Sequence, residues 1–67
     1  MQWQLEVRNI VRFRLTNGST REAVVYKVSP HGVVFFRFLD NGQTTLRTQS
    51  ELPSLFQKGT IELVTVR

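Results

Sequence analysis

From Trp3 to Leu15 the apolar side chains Trp3, Leu5, Val7, Val11, Phe13 and Leu15 fall on odd positions. Gln2, Gln4, Glu6, Arg8, Arg12 and Arg14 fall on even ones. A period of two sends successive side chains to opposite faces of a strand, so this segment predicts β-structure with one apolar and one basic face. Asn9 and Ile10 interrupt the alternation, one on each face, which predicts a kink or bulge. Residues 2–8 are therefore expected to form an added edge strand, pairing elsewhere or with a second chain.

Turn signals divide the remainder at short intervals: Thr16-Asn17-Gly18-Ser19, Ser29-Pro30-His31-Gly32 and Asp40-Asn41-Gly42. Asn-Gly reaches positive φ at low steric cost, which a tight hairpin requires. Between these turns lie runs rich in Val, Phe, Thr and Tyr, residues suited to a pleated, half-buried surface. They predict a second strand over Thr20–Val28, a third over Val33–Leu39 and a fourth over Gln43–Thr48. The third, Val-Val-Phe-Phe-Arg-Phe-Leu, is apolar on both faces, as a central strand should be. From Ser50 to Phe56 the pattern changes. A serine cap and Pro53 predict one short helical turn, too brief for an α-helix, closed by Lys58-Gly59. A last strand is expected over Thr60–Val66.

Four hairpin-linked strands, a helical turn and a fifth strand resemble the order of SH3-like small barrels, Tudor-like modules among them. The resemblance rests on Val11-Arg12-Phe13-Arg14-Leu15-Thr16-Asn17-Gly18 as first strand and turn, and on Val33 through Leu52, with Asp40-Asn41-Gly42 at the tight turn and Ser50-Glu51-Leu52 entering the helical turn. It covers residues 10–66 and implies an all-β chain: a five-stranded antiparallel SH3-like barrel with one short 3-10 turn before the last strand. Such barrels bind DNA, RNA, proline-rich peptides and methylated side chains, so the fold does not choose a function.

Length sharpens this expectation. Sixty-seven residues make a single domain, 1–67, with little surface to bury. Chains of this size are usually reinforced by disulfides, a metal or self-association. There is no cysteine and a single histidine, which leaves self-association as an expectation. No run approaches the length of a membrane span and the amino terminus is no leader, so the chain reads as an intact, soluble, cytoplasmic protein.

Charge points to a partner. Nine basic residues against five acidic give a net charge of +4, and seven of the nine are arginine, whose rigid donor fork matches phosphate. A small, basic, arginine-weighted domain has the electrostatic footprint of a nucleic-acid binder. Arg12 and Arg14 share one face, about 6.6 Å apart along an extended strand. Arg21 and Lys27 share a parity on the second strand, and Arg37 shares a face with Val33, Phe35 and Leu39. If the middle strands form one curved sheet, Lys27, Phe35, Arg37 and Arg47 are expected on its outer face. Phe35, Phe36 and Phe38 cannot all point inward, so at least one is exposed to a base or a partner. The expected nucleic-acid-binding set is Arg12, Arg14, Arg21, Lys27, Phe35, Arg37 and Arg47, holding the phosphate backbone of DNA or RNA with low sequence preference.

Catalysis finds no support. His31 lies in a Pro-His-Gly turn with no visible partner, and Glu6, Glu22, Asp40, Glu51 and Glu62 are scattered singly. Ser29, Ser50 and Ser54 sit in no nucleophile motif, and neither a phosphate-binding glycine loop nor a metal-ligand spacing is present. The chain is expected to be no enzyme and to carry no cofactor. The competing expectation is a homo- or hetero-oligomeric interaction module, adaptor or regulator, using strand three and the amino-terminal strand by edge pairing.

Overall fold

The computed structural model describes residues 5–65. Five strands, β1 (Ile10–Arg14), β2 (Thr20–Val28), β3 (Val33–Phe38), β4 (Thr44–Thr48) and β5 (Ile61–Thr65), form one antiparallel sheet. Its order is β4-β3-β2-β1-β5. A 3-10 turn, Gln49–Glu51, runs into a helix α1, Leu52–Lys58, before β5. No ladder joins β4 to β5 among the described residues, so the sheet is open with two edges rather than closed as a barrel.

The alternation seen along the chain decides which side is core. Val11 and Phe13 of β1 point to one face, with Ala23 and Val25 of β2, Val34 and Phe36 of β3 and Ile61 of β5. Leu5 and Leu52 cap the same cluster, and Leu55, Phe56 and Phe38 pack around it. Phe13 meets Phe36 edge-on at 5.2 Å between centroids and Phe38 at 5.3 Å, geometries that suit the ring quadrupoles.

The hairpins close as their residues dictate. Between β1 and β2 the Leu15 amide donates to the Ser19 carbonyl at 2.8 Å, while Asn17 Oδ1 accepts from the Ser19 amide at 2.9 Å. Gly42, at φ +75°, lets the β3–β4 turn fold back so that its amide reaches the Phe38 carbonyl at 2.9 Å.

The predicted helical turn is longer than expected: a 3-10 turn continues into a helix of seven residues. Glu51 Oε1 reaches back to the Thr48 amide and hydroxyl, each at 2.9 Å, satisfying donors at the helical start. Pro53 sits in the first turn, where its missing amide costs nothing. Leu52, Leu55 and Phe56, spaced by three and four, turn one face to the core. Gly59, at φ +78°, ends the helix, and the Thr60 amide donates to the Leu55 carbonyl at 3.0 Å.

The expected amino-terminal edge strand does not form over residues 5–8; its earlier residues lie outside the described range. Leu5 is buried, and Glu6 to Asn9 make a turn in which the Asn9 amide donates to the Glu6 carbonyl at 3.0 Å. Arg8 takes φ +84°, which breaks any strand there. The irregularity predicted at Asn9-Ile10 is present, as a register shift between Ile10 and Val11 in the β1–β5 ladder.

Candidate nucleic-acid interface

Among the described residues, the face of the sheet turned away from the core carries no helix. Register places on it Val24 opposite Arg37 and Phe35 opposite Leu46. In β2 a bulge between Val25 and Lys27 sets both Tyr26 and Lys27 against Phe35. A bulge of this kind inserts one residue and re-aims the side chains around it. Two consecutive β2 side chains thereby flank a single aromatic residue of β3.

The resulting cluster is compact. The Tyr26 and Phe35 rings lie 6.0 Å apart between centroids, tilted by 53°. The Arg37 guanidinium stands 5.0 Å from the Tyr26 centroid, and Lys27 Nζ stands 5.4 Å from the Phe35 centroid. Each contact is a cation–π interaction worth about 0.5–1 kcal/mol at an exposed site. Both rings are half-buried, and Leu46 beside them is 50% exposed. Among the described residues no carboxylate lies within ion-pair distance of Lys27 or Arg37. Two cations thus border an aromatic pair with no acid pairing to them among the described residues.

The other expected cations lie outside this cluster, although register puts Arg12, opposite Glu22 and Glu62, on the same face of the sheet. Arg12 is held between two acids, 3.3 Å from Glu22 and 3.1 Å from Glu62. Those carboxylates are far apart in sequence and converge only because β1 lies between β2 and β5. Arg21 binds Asp40 through two nitrogens at 3.0 and 2.9 Å, donates to Asn41 Oδ1 at 3.1 Å, and stacks 3.9 Å from the Phe38 centroid. This pairing pulls the Asp40 carboxyl below its ordinary value, chiefly through the hydrogen bond from Arg21, and raises Arg21 in turn.

Arg47 does not share the outer face with Phe35. It pairs in register with buried Val34, so it points to the core side. There its guanidinium sits 5.7 Å from the Phe13 centroid and donates to Thr45 Oγ1 at 2.9 Å and the Leu46 carbonyl at 2.6 Å. Glu51 lies in its field and is depressed below the ordinary carboxylate value, first by the hydrogen bonds from Thr48 and lastly by Arg47. Arg14 lines a shallow groove of about 260 Å3 with Leu15, Thr16, Lys58, Gly59 and Thr60, at the end of β1 beside the end of α1.

Three of the seven expected residues, Lys27, Phe35 and Arg37, are therefore brought together. Arg21 and Lys27, which share a sequence parity, end on opposite faces because the intervening bulge reverses it. Tyr26 was not among the expected contacts. Its signal was the unbroken run Val24-Val25-Tyr26-Lys27-Val28, whose lack of clean alternation marks a bulge. The edge-pairing alternative changes too: β3 has a ladder on both sides and no free edge, whereas β4 and β5 are the edges. His31 is exposed in its turn, its amide donating to Ser29 Oγ at 3.1 Å. Among the described residues no three His, Asp or Glu side chains are grouped as metal ligands would be, and no helix is long and apolar enough to cross a membrane. No protein-family model, curated protein or solved structure matches the chain.

Proposed function

We propose that this chain is a small cytoplasmic nucleic-acid-binding protein that contacts the phosphate backbone with low sequence specificity through the open face of its sheet. The single observation that carries the reading is the Tyr26–Phe35 pair bordered by Lys27 and Arg37, cations that, among the described residues, have no acidic partner and lie on a face no helix covers. Aromatic faces accept any base, and adjacent cations follow the backbone, so this combination binds with little regard to sequence. The carrying set is Lys27, Phe35, Arg37 and Tyr26. Arg12 and Arg21 contribute least, because phosphate would have to displace carboxylates already bound. We further read the fold as an SH3-like module. Support comes from four hairpin-linked strands, a 3-10 turn and a fifth strand in sequence order; the absence of a β4–β5 ladder leaves such a barrel partly open.

Anisotropy titration of labelled single-stranded and duplex oligonucleotides at 50 and 200 mM salt tests this reading. Binding through several cations weakens steeply as salt rises. Salt-independent association, or none, removes it.

A second reading has its own observation. Leu63 and Val64 of the β5 edge strand are 41% and 40% exposed, and unpaired edges invite strand addition from another copy or partner. It predicts a mass in solution that rises with concentration and does not depend on Lys27 or Arg37.

A further inference from the structure

Resting on the nucleic-acid reading above, we infer that the ligand is a single strand with parted bases, two neighbouring bases lying on Tyr26 and Phe35, rather than a duplex. The two rings are tilted by 53° with centroids 6.0 Å apart. Bases in a duplex strand are parallel and spaced by about 3.4 Å. Two bases resting on these rings are neither parallel nor at that spacing, so they must leave each other's stack. A single strand does this readily. A duplex does it only by unpairing.

Depth leads to the same ligand. Both rings are half-buried, so only part of each is open to a ligand. A duplex hides the faces of its bases and offers only their edges, at the floor of grooves about 7.5–8.5 Å deep. Half-buried rings on a broad sheet face are poorly placed to reach either. Against a duplex the face would act through Lys27 and Arg37 alone.

The cations suit an exchange. In the free protein each ring face is attended by a charge, Arg37 at 5.0 Å from the Tyr26 centroid and Lys27 at 5.4 Å from that of Phe35. These are loose contacts between flexible side chains and half-buried rings. An arriving base takes the ring face through the stronger stacking interaction, and the displaced cation swings to the adjoining phosphate. Charge and stacking are then both used, at neighbouring positions along one strand. Nothing in this arrangement reads a 2′-hydroxyl, so DNA and RNA strands are both accommodated.

The test uses the whole chain and three oligonucleotides of equal length: a single-stranded homopyrimidine in DNA and RNA forms, an abasic strand with the same phosphates, and a duplex. Anisotropy at one fixed salt concentration gives each Kd. Wild-type protein should prefer the base-bearing strand over the abasic one by roughly 5- to 150-fold for each stacked base, and the duplex should bind no better than the abasic strand. Tyr26→Leu with Phe35→Leu should erase that preference. Abasic or duplex binding as tight as that of the base-bearing strand overturns this inference and leaves the backbone reading standing. Failure of all three oligonucleotides to bind in a salt-dependent way overturns both. The base-against-abasic comparison on wild-type protein decides the matter even if the leucine variant does not fold.

Discussion

Two double variants that remove equal charge from different places separate a localised interface from general basicity. Lys27→Gln with Arg37→Gln removes the two cations beside the aromatic pair. Arg12→Gln with Arg21→Gln removes two arginines already bound to Glu22, Glu62 and Asp40. Either variant lowers the formal net charge of +4 by two. For single strands the salt slope is about −0.7 per phosphate neutralised, so two cations in contact contribute about −1.4. Between 50 and 200 mM salt that slope corresponds to roughly a sevenfold loss of affinity. The first variant should lose this component, its slope becoming shallower by about 1.4, whereas the second should keep the wild-type slope to within half a phosphate. The assay is fluorescence anisotropy of a labelled oligonucleotide over a salt series, with circular dichroism confirming that both variants are folded. Equal changes in the two variants would mean that net charge, not the Lys27–Arg37 placement, governs binding. An unchanged slope in the first would remove that pair from the contact altogether.

The same contacts make stability predictions. Phe36 is fully buried against Phe13, so Phe36→Ala should cost about 3–5 kcal/mol, most of what a chain of this size has to lose, and the cooperative urea transition should collapse; an unmoved midpoint would contradict the core assignment. Gly59 has no neighbour that a Cβ would strike, so Gly59→Ala should cost only the left-handed backbone penalty of about 1–2 kcal/mol, and Gly59→Asn less; equal stability of all three by urea titration would argue against a left-handed helix end. Asp40 and Glu51 are both depressed in the folded chain, from ordinary values of 3.8 and 4.5. Their contribution is therefore fully present above those values and is lost as pH falls through the lower folded ones. Urea midpoints should be flat near neutrality and drop in acid, and Asp40→Asn with Glu51→Gln should shrink the drop; an identical acid profile in that variant would show that other groups cause it.

Local rules located most of the elements. The strand Thr20–Val28 has the limits its turn residues set, and β3, β4 and β5 begin or end within a residue of where alternation and Asn-Gly signals put them. Such signals act within a few residues. What they missed depends on longer range. Helix α1 outgrew a single turn because Leu52, Leu55 and Phe56 find the core beneath them, a gain that propensity alone does not register. Barrel closure needs a β4–β5 ladder, and no residue pattern inside either strand announces its partner. The β2 bulge is an intermediate case. One inserted residue inverted the face of Lys27 relative to Arg21, because a register slip of one exchanges the two sides of a strand.

The candidate site was half legible for a related reason. Reading cations along a chain counts charges but does not show which are already answered, and here the acids decide. Arg12 is held by Glu22 and Glu62 on the open face and Arg21 by Asp40 on the core side, so these two cations are answered by three carboxylates. Glu51 sits in the field of Arg47. Three of the five acidic residues are paired with arginines that looked like binding residues, leaving seven cations against Glu6 and Glu51 in the rest of the chain. Lys27 and Arg37 belong to that remainder, and the aromatic pair lies between them. The electropositive surface is thus defined by where carboxylates are missing. Placing an acid beside the aromatic pair, as in Leu46→Glu opposite Phe35, should weaken oligonucleotide binding more than the same acid introduced at Thr16. Equal effects at the two positions would return the charge to a diffuse property of the whole molecule.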